Sequence, residues 1–190
     1  MKKHRHLLLA AAVILVLLAL DHATKWVAVR YLRDTGFSWQ SWGDLIRIQY
    51  AENTGAFLSL GATLSPALRA WVMMGLNSLI LTAVAAWLVF GRSRPLVVPI
   101  SLAMILAGGV GNLIDRFFRD GRVVDFMNVG VNFGELGSVR SGIFNVADLA
   151  IVGGLLLLLW HEFRHPRVLE REPGVLKPEK PIFGEDSKQD

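Results

Sequence analysis

Four long apolar runs divide the chain, at about 7–29, 67–90, 95–114 and 146–163. Each approaches the roughly 20 residues that a helix needs to cross the hydrocarbon core of a bilayer. The second run is uncharged after Arg69 and the third is uncharged throughout, whereas the first holds Asp21 and Lys25 and the fourth opens on Asp148. Two longer polar stretches, 30–66 and 115–145, separate the first run from the second and the third from the fourth. Within the first stretch, Leu45-Ile46-Arg47-Ile48-Gln49-Tyr50 alternates in part and is β-prone. The pattern predicts an all-α membrane fold of four transmembrane helices over residues 1–163, with a small extracytoplasmic β-sheet and loop region lying on the membrane. Residues 164–190 carry four prolines and mixed charge and read as a disordered cytoplasmic tail.

Composition supports this class. The 190 residues are 53% hydrophobic and 19% charged, with a mean hydropathy of +0.43, too apolar for an ordinary soluble domain. The start, Met1-Lys2-Lys3-His4-Arg5-His6 before an apolar stretch, imitates a secretory signal peptide. Asp21 and Lys25 fall where a cleavage site would lie and the apolar run continues to Val29, so a retained first helix is expected. Lys2, Lys3 and Arg5, then Arg92 and Arg94, then Arg164, Arg167 and Arg171 flank the runs on what four spans make a single side. That side is the cytoplasmic one, with both termini on it. Trp26, Tyr31, Trp39 and Trp42 suit the outer interface. The net charge of +4 fits contact with anionic lipid headgroups. Basic residues scattered around membrane segments argue against a nucleic-acid partner. With no cysteine, thiol catalysis, disulfides and cysteine-based metal sites are excluded.

The carboxylates carry the candidate chemistry. A charged group at the edge of a membrane helix is costly and marks a functional site by default. At 1.5 Å of rise per residue, Asp21 lies about 21 Å along from Leu7 and Asp115 about 30 Å from Pro95, while Asp148 stands about 22 Å above Phe163. All three therefore fall in the outer half of the bilayer, and Asp125 is tied to Asp115 by a short link. Each has a plainer reading as the partner of Lys25, Arg116 or Arg122, or as a helix cap for Asp148. That reading takes precedence for Asp21, four residues before Lys25, and the functional one for Asp125 and Asp148. Two close carboxylates share a proton because both cannot easily ionise. The ionised one then takes a proton from water while the other donates to a scissile carbonyl, which gives peptide hydrolysis without metal or cofactor.

Five phrases in order carry a resemblance: Asp21-His22-Ala23-Thr24-Lys25, Asn53-Thr54-Gly55-Ala56, Gly111-Asn112-Leu113-Ile114-Asp115-Arg116, Val123-Val124-Asp125-Phe126 and Phe144-Asn145-Val146-Ala147-Asp148. Over about 17–160 the chain resembles signal peptidase II, the lipoprotein signal peptidase of bacteria. The resemblance implies an aspartyl endopeptidase of the bacterial cytoplasmic (inner) membrane whose site faces outward. Its substrates would be prolipoproteins, cut just before a diacylglyceryl-modified cysteine. It implies Asp125 and Asp148 as the catalytic pair and Asp21, Lys25, Asn53, Gly55, Asn112, Asp115, Arg116, Asn145 and Ala147 as substrate-binding or supporting positions. It also implies no metal, membrane lipids as surroundings and a functional monomer. Asn112 or Asn145 is expected to hold the pair or its water, Arg116 to bind a carbonyl or phosphate, Asn53 to bond substrate backbone, and Asp115 to hold Arg116 or a helix end.

The chain departs from the family pattern at His22, where Gln is usual, and at Phe57-Leu58, which follow Ala56 without the usual small residue. Residues 128–142 are somewhat long and rich in glycine (Gly130, Gly134, Gly137, Gly142), which predicts a flap or an extra turn. One rival signal is His161-Glu162-Phe163-Arg164-His165, a match to the zinc-protease HExxH. Pro166 disfavours helix at His165, and the match falls on the opposite side of the membrane from the other polar residues. Gly108-Gly109-Val110-Gly111 reads as close helix packing, not as a phosphate loop. A proton-coupled transporter would also keep membrane carboxylates, but the second and third spans are apolar through their inner halves. A non-catalytic adaptor would be indifferent to Asp125.

Overall fold

The computed structural model describes residues 2–41, 43–55, 65–91, 95–134 and 137–165. Ala56, Phe57, Leu58, Trp42, Arg92, Arg94 and the tail from Pro166 onward lie outside the described residues. The elements in chain order are α1 (Lys2–Ala28), a π turn (Val29–Arg33), β1 (Trp39–Ser41), β2 (Ile46–Asn53), α2 (Pro66–Phe90), α3 (Val97–Phe118), β3 (Val123–Asn132), β4 (Ser138–Arg140) and α4 (Val146–Arg164). Four of the described helices are long and apolar enough to cross a membrane. Local chemistry explains their ends. Ser65 caps α2 by accepting from the Leu68 N–H at 3.3 Å, with Pro66 in the first turn. Asn145 caps α4 in a reciprocal box with Asp148.

Helix α3 runs four residues past Ile114, so Asp115 and Arg116 sit in its last turns. Its chain then reverses through Asp120 and Gly121, at φ 52° and 83°. A Cβ on Gly121 would stand 2.5 Å from the Ala70 Cβ, so glycine serves both the left-handed turn and the close approach to α2.

Helix α3 is central. It packs against α1, α2 and α4, and buries Val98, Leu102, Leu106 and Asn112 among others. The outer helices instead expose apolar side chains such as Leu15, Leu79, Phe90 and Leu156, as bilayer-facing surfaces do. Trp26, Tyr31 and Trp39 are also exposed.

The strands form one antiparallel sheet in the order β1-β2-β3-β4. The β-prone 45–50 stretch lies largely within β2. Strand β3 joins the two outer segments into one sheet, and the glycine-rich stretch 128–142 holds the β3–β4 hairpin, with Gly130 opposite Arg140. Val124 and Phe126 of β3 pack with Ala28 and Leu32 at the end of α1. By strand alternation, Asp125 between them faces the other way.

Candidate active site

Asp125 and Asp148 come from a strand and a helix that meet at Asn145. The Asn145 side-chain amide donates to Asp125 Oδ1 at 2.7 Å, and its backbone N–H donates to Asp148 Oδ2 at 3.1 Å. Its Oδ1 accepts the Asp148 N–H at 2.9 Å. One residue thus caps α4 and ties both carboxylates together. Asn112 of α3 donates from Nδ2 to Asp148 Oδ1 at 2.8 Å. Asn53 of β2 also hydrogen-bonds Asp125. The register explains this contact, because Ala51 opposes Asp125 and Asn53 opposes Val123, which makes Asn53 the diagonal same-face neighbour. Asn53 Oδ1 accepts the Gly55 N–H at 2.9 Å, and Gly55 takes φ 76°, closing the turn after β2.

Below the pair lies a buried ionic cluster. Lys25, 1% exposed, reaches Asp21 Oδ2 at 2.8 Å, Asp115 Oδ2 at 3.0 Å and Asn112 Oδ1 at 3.0 Å. Arg119 Nε bonds Asp115 Oδ1 at 3.2 Å, so two carboxylates are balanced by two cations. Such a cluster is tolerated because each member is paired, and removing one partner of a buried pair costs about 3–5 kcal/mol. The cluster also positions backbone. Asp21 Oδ1 accepts the Ala147 N–H at 2.9 Å, and Asp115 Oδ2 accepts the Val124 N–H at 3.2 Å. Two carboxylates therefore hold the residues immediately preceding Asp148 and Asp125.

These contacts correct one expected pairing, that of Asp115 with Arg116. Asp115 holds Lys25, Arg119 and Val124, not Arg116, because Arg119 lies one helical turn on. Arg122 bonds Glu52 Oε2 at 2.7 Å across the sheet and does not neutralise Asp125. Arg116 instead lies where it feels the charges of Asp125, Asp148 and Asp115, close to Gly55. With Asn112 it forms the polar end of a groove of about 250 Å³ between α2, α3 and α4. Met73, Leu76, Ile80 and Ile151 supply its apolar walls. Arg119 was not among the sequence candidates, although its i,i+4 spacing from Asp115 was a usable signal. His161 and His165 stand at the far end of α4, with ring centroids 4.9 Å apart. The helix ends at Arg164, as Pro166 implies.

Burial, and then the charge of Asp148, push the Asp125 carboxyl up from 3.8 to about 6, against opposing bonds from Asn53 and Asn145. The sign follows from linkage. Below pH 3.8 the group is protonated whether folded or unfolded, and nothing is lost. As pH rises from 3.8 to about 6 the unfolded chain ionises first, so stability falls, by about 3 kcal/mol in all. Asp125→Asn should remove this penalty. Its melting temperature in detergent should exceed that of wild type above pH 6, and the gap should close towards pH 4. A gap independent of pH would contradict the raised value.

Two carboxylates held together by shared amides, one of them raised towards neutrality, can activate water on one side and protonate a carbonyl on the other. The adjoining apolar groove opens between membrane helices. Comparisons agree with this chemistry. Residues 13–164 match the family described as signal peptidase (SPase) II. The lipoprotein signal peptidase of Chlorobium phaeobacteroides (strain BS1) is 38% identical over 159 residues, 80% of this chain and 93% of the relative. That of Borrelia turicatae (strain 91E135) is 34% identical over 147 residues, 77% of this chain and 85% of the relative. A bacterial membrane enzyme solved by the in meso method at 1.9 Å resolution superposes with a TM-score of 0.66, covering 82% of this chain and 93% of its own, at 22% identity that speaks for the fold alone. With a family match over most of its length and relatives above 30% identity, the chain belongs to the signal peptidase II family.

Proposed function

We propose that this multi-pass membrane peptidase removes signal peptides from bacterial prolipoproteins, with Asp125 and Asp148 as its catalytic pair. The observation that carries this reading is the Asn145 bridge between the two carboxylates beside the groove between α2, α3 and α4. An extended segment entering from the bilayer brings its scissile carbonyl between Asp125 and Asp148. One carboxylate takes a proton from water as the water oxygen attacks, and the other donates to the carbonyl oxygen. The resulting gem-diol collapses when the leaving amine receives a proton. Arg116 and the amides of Asn53 and Asn112 line the approach to substrate carbonyls. The apolar walls suit the acyl chains of a diacylglyceryl-modified cysteine just after the cut. Residues of one chain build the whole arrangement, so a monomer suffices. The decisive test incubates purified protein with a diacylglyceryl-modified prolipoprotein, wild type beside Asp125→Asn. Cleavage before the modified cysteine by wild type alone is expected.

The active site belongs on the outer face of the cytoplasmic membrane, with both termini in the cytoplasm and residues 166–190 as a tail without a catalytic part. The distribution of Lys and Arg about the four spans supports this orientation. A single cysteine at Gly142, which has open space around its Cα, should react with an impermeant maleimide added to whole spheroplasts. Labelling only after lysis would reverse the topology.

A further inference from the structure

We infer that Lys25 is the positioning residue that gives the two carboxylates unequal roles: through Asn112 it holds Asp148 as the ionised base that activates water and leaves Asp125 as the acid. The inference rests on the catalytic-pair reading above. An ammonium has three protons and no acceptor. Lys25 forms ion pairs with Asp21 and Asp115, at 2.8 and 3.0 Å, and donates a hydrogen bond to Asn112 Oδ1 at 3.0 Å. The Asn145 amide reaches the same oxygen at 3.2 Å. With that oxygen committed, the NH₂ of Asn112 must face Asp148 Oδ1, at 2.8 Å. The opposite amide orientation would set NH₂ against the ammonium and turn an oxygen towards a carboxylate.

Asp148 therefore receives a donor on each oxygen, Asn112 Nδ2 on one and the Asn145 N–H on the other. It also sits in the first turn of α4, where the helix end favours an anion. Asp125 lies on a strand, without a helix dipole, and the neighbouring Asp148 charge favours its protonated form. The other charged groups facing the pair are Lys25 and Asp21 from α1 and Asp115 and Arg116 from α3. Glu52 on β2 is engaged by Arg122. Arg116 feels both carboxylates, while Asn53, Asn145 and the charge of Lys25 favour ionised Asp125 against its burial and the Asp148 charge, so the asymmetry comes from that burial, the Asn112 amide and the helix end.

The proton count closes. Asp148 takes a proton from water as the C–O bond forms, and Asp125 gives its proton to the carbonyl oxygen. As the C–N bond breaks, Asp148 passes its proton to the leaving nitrogen and Asp125 recovers one from a gem-diol hydroxyl. Both groups end as they began.

The test is the pH profile of kcat/KM on a diacylglyceryl-modified prolipoprotein in one detergent. Asp125→Asn and Asp148→Asn come first: turnover by either removes the catalytic pair itself, and the inference with it. If both are inactive, the Lys25→Met/Asp115→Asn double variant, whose remaining buried charges balance as in wild type, is compared with wild type. Asn112→Ala is measured beside them. The acid limb of that profile should move up by about one pH unit or more in each case. Lys25→Met should add no displacement once Asn112 is alanine. A uniform loss at every pH would make Lys25 a purely structural residue and overturn the proposal, as would a full shift that survives in the Asn112→Ala background. Asn112→Ala leaves the ion pairs intact, so an unmoved limb there overturns the proposal even if the Lys25 variant does not fold.

Discussion

Asp125→Asn and Asp148→Asn should each reduce kcat/KM by roughly 10³-fold or more while the protein still inserts and folds. An amide can take part in hydrogen bonds but can neither accept a proton from water nor deliver one to a carbonyl oxygen at neutral pH. The two losses should be far from additive, because the carboxylates act as one unit and the double variant should be no slower than either single one. The structural consequences should differ. Asp125 is buried and raised to about 6, so its replacement relieves a cost and stabilises. Asp148 completes the α4 capping box with Asn145, and its replacement should cost about 1 kcal/mol. Turnover and melting temperature on the same preparations separate these effects. Near-wild-type turnover by one variant would remove that residue from the pair.

The sequence made the helices legible because an apolar run of bilayer length has few other uses. Asp21 with Lys25 was also legible, since i,i+4 spacing on a helix fixes their proximity. The sheet was only half visible. The stretch 45–50 alternates, but Val123-Val124-Asp125-Phe126 is buried on both faces and so shows no alternation to mark it as β3. The pairing of β2 with β3 joins residues 70 or more positions apart, and no local pattern encodes it. The same limit explains the Asp115 correction. Adjacency in sequence favoured Arg116, whereas the helix turn carries Arg116 towards the groove and presents Asp115 to Lys25 and Arg119. The order of motifs pointed to Asn112 and Asn145 as candidates. Only the fold revealed that Asn145 touches both carboxylates and that Lys25 and Asn145 both donate to the Asn112 oxygen.

The small residues of α3 lead to the second large effect. A Cβ on Gly108 would stand 2.2 Å from the backbone oxygen of Ala147 and 2.7 Å from the Ile151 side chain. The first obstacle is main chain, so no rotamer change relieves it, and α3 and α4 must separate. Ala147 is held by Asp21 on its N–H and is followed directly by Asp148, so the separation falls on the catalytic pair. Gly108→Ala should cost about 1–3 kcal/mol through overpacking. It should also lower kcat by about 10²-fold, the usual result of displacing a reacting group by about 1 Å. Gly75 on α2 has nothing within 4 Å of an added Cβ and serves as the control. Gly75→Ala should leave kcat unchanged and the melting temperature equal or slightly higher, since alanine is the better helix former. Purified variants would be compared with wild type for melting temperature and single-turnover cleavage. If Gly108→Ala keeps wild-type kcat, the close α3–α4 approach at Gly108 does not set the position of Asp148, and the α4 capping box with the Asn112 and Asp21 hydrogen bonds must hold it.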